Sequence, residues 1–132
     1  MLGIFFGCTT MIEENLRKAL ETFLEKTGIE HERLGTDQCC GIPLVLSGSI
    51  EEAKQHARRV VEQTKAKNVH KLVTSCPHCY TAFSHEYPDL LGIEVPFQTL
   101  HFSQFAQELI KDGKIRPSKR VVLKLTYHDP CY

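Results

Sequence analysis

A chain of 132 residues is one domain's worth, long enough to bury an ordinary core without disulfide staples or a structural metal. Sixteen basic and sixteen acidic residues cancel formally and form no basic block or stripe, which argues against nucleic acid as a partner. No apolar run reaches membrane-spanning length, and Met1–Phe6 is too short and lacks the charged start of a secretory signal, so the expected setting is soluble and intracellular.

Leu2–Phe6 is a short apolar run that predicts a buried strand, ending at Gly7-Cys8-Thr9-Thr10. Thr10 and Glu13 fit a capping box for a helix whose apolar stripe is Ile12, Leu16, Leu20, Phe23 and Leu24, closing at Gly28. Ile29–Leu34 is a weaker, alternating strand that delivers the chain to Cys39-Cys40-Gly41. Ser49 and Glu52 fit a second capping box, opening a helix with Ile50, Ala53, Ala57, Val60 and Val61 on its inner face and charges on its outer face. Lys71–Thr74 predicts a strand running into Ser75-Cys76-Pro77-His78-Cys79, with Ser75 as N-cap and Pro77 in the first helical turn.

Beyond that helix, Pro88–Gly92 reads as a turn and Glu94–Gln98 as another strand. A further helix carries Phe102, Phe105, Ala106, Leu109 and Ile110 and ends at Asp112-Gly113. After a polar connector, Lys114–Lys119, the run Val121–Tyr127 predicts a last strand, followed by His128-Asp129-Pro130-Cys131. Strand and helix alternate, so the expected fold is α/β, three-layered, with a mainly parallel sheet of about four to five strands and helices on both faces. Ligands in such sheets gather beyond the carboxyl ends of the strands. Cys8, Cys76 and Cys131 each stand just past a predicted strand, and Cys39-Cys40 follows one closely.

In an intracellular setting six cysteines point to metal or redox chemistry rather than a disulfide framework. A lone cysteine is as readily a small core hydrophobe as a ligand, but a vicinal pair followed by Gly is hard to explain by packing. Adjacent side chains on a strand point to opposite faces, so Cys39 and Cys40 serve one site only if the backbone bends there, which Gly41 and Pro43 favour. The five thiols Cys8, Cys39, Cys40, Cys76 and Cys79 therefore read as one convergent site. Placing Cys76 and Cys79 at a helix start favours thiolate, the form that binds metal or attacks disulfides.

Thiolate-rich sites select zinc or iron–sulfur clusters. A structural zinc site takes four ligands and would leave one thiol of the five unused, and adjacent cysteines chelate a single tetrahedral ion awkwardly. A multi-iron cluster spreads its ligands over several metals. The count favours iron–sulfur, with a zinc-binding structural module as one alternative and a thioredoxin-like dithiol oxidoreductase using Cys76 and Cys79 as another. The dithiol reading leaves Cys8, Cys39 and Cys40 unexplained. No residue is singled out as catalytic: His128 and Cys131 are adjacent in sequence rather than arranged about a pocket. His78, between two candidate ligands, could tune them or face solvent, and His31, His56, His70, His85 and His101 follow no ligand spacing.

The pattern Cys8, Cys39-Cys40-Gly41, Cys76-Pro77-His78-Cys79 resembles the cysteine-rich CCG domain of heterodisulfide reductase catalytic subunits and of the iron–sulfur subunits of glycolate oxidase, lactate-utilisation proteins and anaerobic glycerol-3-phosphate dehydrogenase. Phe6-Gly7-Cys8, Ser75-Cys76-Pro77, Glu86-Tyr87-Pro88 and Thr126-Tyr127-His128-Asp129-Pro130-Cys131 fit as well, so the resemblance covers nearly the whole chain. It implies a [4Fe-4S] cluster held by Cys8, Cys39, Cys40, Cys76 and Cys79, of a non-cubane kind in heterodisulfide reductase, with zinc as the alternative metal. It implies residues 1–126 as a first CCG domain and 127–132 as the start of a second, truncated repeat, with Cys131 matching that repeat's first cysteine. The chain would then be part of an iron–sulfur oxidoreductase, taking part in electron transfer and disulfide reduction but inactive alone. Its implied partners are the second repeat, other subunits of an electron-transfer complex, and a disulfide or small organic acid as the complex's substrate. The implied location is the cytoplasm, with membrane association through a partner subunit.

Overall fold

The computed structural model describes residues 1–128. Four short strands, β1 (Leu2–Phe5), β2 (Glu32–Leu34), β3 (Lys71–Thr74) and β4 (Gln98–His101), form one parallel sheet in the order β2-β1-β3-β4. Phe5 stands opposite both Leu34 and Thr74, and Thr74 stands opposite His101. These are the last residues of the four strands, so all the carboxyl ends come level along one edge.

The pleat divides the core into two. Ile4, Phe6, Val73 and Leu100 pack on one face against Leu20 and Leu24 of α2 (Glu14–Thr27) and Phe105 and Leu109 of α6 (Phe102–Lys111). Phe5, Leu34 and Leu72 pack on the other against α3 (Ile42–Leu46), α4 (Ile50–Ala66), α5 (Pro77–Thr81) and a π-helical continuation of α5, Ala82–Leu90. Strand side chains alternate between faces, and each face buries one apolar helical layer, which is the expected three-layer α/β arrangement. The chain leaves β1 for β2 on one side and returns to β3 on the other. The crevice between the carboxyl ends of β1 and β3 is therefore the switch point of the sheet.

Several elements differ from expectation. The first helix is two: α1 (Gly7–Ile12) starts directly after β1, the chain bends at Glu13, and α2 begins afterwards. Thr10 does not cap, because its hydroxyl is fully buried and hydrogen-bonded at 2.9 Å to Ser75 Oγ. Ile12 is consequently exposed, and Leu20 and Leu24 carry the buried stripe. Ser49 does sit at the N-cap of α4, but its side chain makes no capping bond and instead meets the Ser47 hydroxyl at 3.1 Å. The turn expected at Pro88–Gly92 is largely π-helix, a winding that buries Phe83 and Tyr87 against each other with ring centroids 5.2 Å apart.

The strand expected at Glu94–Gln98 begins only at Gln98, since Pro96 has no N–H for a ladder. Val121–Tyr127 forms no strand, and Val121, Val122, Leu123, Leu125 and Tyr127 are all exposed. Its alternation suits a half-buried strand, but no described sheet edge pairs with it and nothing described covers it.

Truncating the sheet and the tail should separate these two environments. Leu72→Ala, at a fully buried sheet position, is expected to cost about 2–5 kcal/mol in urea unfolding. Leu123→Ala is expected to stay within about 0.5 kcal/mol of the parent. A comparable loss in both would mean that the tail packs as a strand.

Candidate metal centre

Two strand ends deliver the first candidate thiols. β1 runs into Gly7-Cys8, and Gly7 has φ +68 with so little room that a Cβ there would lie 3.0 Å from Cys79 Sγ. The backbone at the start of α1 thus rests directly against the far thiol. β3 runs into Ser75-Cys76, where Cys76 itself, rather than Ser75, is the N-cap of α5 and Pro77 opens the helix. Ser75 is occupied elsewhere by Thr10, a contact that ties the loop after β3 to α1. The Cys76 N–H is directed instead to Thr74 Oγ1 at 3.3 Å.

All five predicted thiols line one cavity of about 460 Å³, together with Thr9, Ile42, Pro43, Leu46, Ser47 and His78. Cys8 is exposed, Cys39 half-buried, and Cys40, Cys76 and Cys79 buried. Cys8 and Cys39 touch sulfur to sulfur at 3.5 Å, and Cys76 Sγ lies 3.8 Å from the Thr9 hydroxyl. The structure thus brings together all five candidate ligands, while Cys131, the expected first cysteine of a second repeat, lies outside the described residues together with Asp129 and Pro130.

Their acidities diverge. Hydrogen bonding from the Cys79 thiol, helped by the backbone N–H groups of Cys79 and His78 and by the Thr9 hydroxyl, outweighs burial and holds Cys76 down to about 5. Cys40 is also held below the ordinary thiol range, chiefly by hydrogen bonding from Cys79 and opposed by its burial. Cys79 is pushed far up because it donates to both. Burial pushes Cys39 up to about 12, against the pull of the Gly41 N–H.

The vicinal pair depends on residues that sequence reasoning left without a role. His56 Nε2 bonds the Cys39 carbonyl at 2.7 Å, and the buried Tyr87 hydroxyl donates to the Cys40 carbonyl at 2.6 Å. Arg59 lies 3.2 Å from His56 Nδ1 and can only donate, which fixes the tautomer with the proton on Nε2. Gly41 has φ +83, the bend expected there, and a Cβ on it would meet His56 Cδ2 at 2.7 Å. The glycine leaves room for the histidine ring. His101 caps α6 through Nδ1 and reaches the Ser75 carbonyl with Nε2 at 3.2 Å, steadying the loop that carries Cys76. No local spacing announced His56 or His101, and Tyr87 stood in the Glu86-Tyr87-Pro88 match with no function attached.

Among the described residues, no group of three or more His, Cys, Asp and Glu side chains stands as a ready single-ion site. The donor chemistry of five thiols around one cavity, with no Lys, Arg, Asp or Glu in its lining, fits a thiophilic metal cluster.

The model of the CCG family, described as a cysteine-rich domain, matches residues 2–84. The chain is 39% identical over 133 aligned residues to a subunit of the dihydromethanophenazine:CoB–CoM heterodisulfide reductase of Methanosarcina acetivorans, covering 97% of this chain and 32% of that one. It is 30% identical to an EtfAB:quinone oxidoreductase of Syntrophomonas wolfei, covering 98% and 18%. Over 76 residues it is 37% identical to a "probable iron-sulfur-binding oxidoreductase" of Bacillus subtilis, covering 58% and 10%. The chain spans about a third of the length of the heterodisulfide reductase subunits it matches. No solved structure matches it.

Because Cys76 is depressed, the reduced, metal-free protein is expected to hold thiolate at neutral pH and to lose it as pH falls through about 5. Ultraviolet thiolate absorbance reads this directly. Cys76→Ser should remove that step, and Cys79→Ala, which deletes the hydrogen-bond donor, should move it upward. A single step in the ordinary thiol range for every variant would contradict the hydrogen-bonded trio.

Proposed function

The chain belongs to the CCG cysteine-rich domain family, and from that premise we propose that it is the cluster-holding, electron-transferring domain of an iron–sulfur oxidoreductase of the heterodisulfide reductase type. The observation that carries this reading is the meeting of all five thiols at one cavity on the sheet's switch point. Cys8, Cys39, Cys40, Cys76 and Cys79 are the proposed ligands of a [4Fe-4S] cluster, which when bound supplies reversible one-electron chemistry.

The chain's own residues prepare that site. Cys76 and Cys40 present thiolate character without a metal, so fewer protons have to leave on binding. Cys79 holds the proton that must leave, and it is poised between those two sulfurs. The Ile42, Pro43 and Leu46 walls limit water around the sulfurs, while exposed Cys8 and half-buried Cys39 mark the open side. Five thiols exceed the four that one structural zinc ion takes.

Residues 1–126 form the first CCG domain on this reading, and 127–132 open a second repeat whose first cysteine is Cys131. The complete assembly adds that repeat and further electron-carrying subunits, and its substrate is a disulfide or a small organic acid. The assembly works in the cytoplasm. No helix among the described residues is long and apolar enough to cross a membrane, and contact with a membrane runs through a partner subunit.

Reconstitution with ferrous iron and sulfide under exclusion of oxygen tests the reading. Iron with matching acid-labile sulfide is expected, falling sharply in Cys39→Ser and Cys76→Ser. Zinc without sulfide would make the domain a structural module. A metal-free protein that reduces protein disulfides through Cys76 and Cys79 would replace the cluster with dithiol exchange.

A further inference from the structure

The peptide joining Cys40 to Gly41 is held at both ends. On one side its carbonyl oxygen accepts from the Tyr87 hydroxyl at 2.6 Å, and on the other its N–H is directed at Cys39 Sγ, 3.5 Å away. The peptide is trans, so its C=O and N–H point in opposite directions, and fixing one fixes the other. Tyr87 is buried to 2% exposure and lies in the Phe83 and Phe97 aromatic cluster, which leaves its hydroxyl little freedom to turn away. His56 blocks the remaining motion, since its ring fills the space beside Gly41 while Nε2 holds the preceding carbonyl.

We propose that Tyr87 is a positioning residue that sets the reduction potential of the centre by aiming the Gly41 N–H at the Cys39 sulfur. The inference rests on the cluster reading above. An N–H directed at a thiolate ligand withdraws charge from the sulfur and favours the reduced, more negative state of the metal group. The hydroxyl acts without touching any sulfur, through a rigid peptide that transmits its direction. A buried tyrosine forty-seven residues away in sequence thereby becomes part of the electron-transfer apparatus.

Tyr87→Phe tests this, because it keeps the ring against Phe83 and removes only the oxygen. The reconstituted variant is expected to have a more negative reduction potential than the parent in a mediator titration. Val60→Ala, which loosens the same core from α4 without removing a hydrogen-bonding side chain, is expected to leave the potential unchanged. In the metal-free protein, Gly41 amide exchange is expected to quicken in Tyr87→Phe and not in Val60→Ala. An unchanged potential in Tyr87→Phe, an equal shift in Val60→Ala, or a cluster lost from Tyr87→Phe with Gly41 exchange like the parent's would overturn the proposal. If the parent takes up no cluster, the cluster reading fails separately, and parental Gly41 exchange in Tyr87→Phe would still overturn the positioning role.

Discussion

Two neighbouring thiols can face one cavity only if the backbone between them abandons strand geometry, and a buried backbone that does so loses the ladder partners of its carbonyls. This constraint governs the centre. His56 and Tyr87 supply the two missing donors, one from α4 and one from the π-helical segment, and Gly41 supplies the positive φ that lets the chain turn beneath the histidine ring. An unmet buried carbonyl costs about 1–3 kcal/mol, so the pair's conformation is held by specific donors rather than by packing alone.

The sheet supplies the other three thiols more simply. Its strands end level, and the reversal of strand order between β1 and β3 opens a crevice where Cys8 and Cys76 leave adjacent strands. The Thr10–Ser75 bond crosses that crevice and fixes the two exits relative to each other. Cys79 follows Cys76 by one turn of α5, beneath Gly7. The result is a graded set of thiols, from exposed Cys8 to buried Cys79, in which hydrogen bonds sort protons before any metal is present.

What could be read from the sequence was local. Leu2–Phe5 is a short apolar run, Lys71–Thr74 centres on the apolar pair Leu72-Val73, and the Ala53, Ala57, Val60 and Val61 stripe needs only the helical period. The five cysteines were legible through their residue type and their place after strands. What escaped depends on distant partners. His56 and Tyr87 reach the vicinal pair across 17 and 47 residues. Thr10 looked like a cap because its true partner, Ser75, is 65 residues away. Pro96 delayed β4, and the alternation of Val121–Tyr127 promised a strand that no described edge receives. Period and propensity carry no information about such pairings.

X-ray absorption at the iron edge of the anaerobically reconstituted protein is the most direct test of the five-thiol centre. A first shell of sulfur with iron–iron neighbours beyond it, acquiring a lighter ligand when Cys40 is replaced by Ser, is the predicted result. A shell of nitrogen or oxygen without iron–iron neighbours would contradict it.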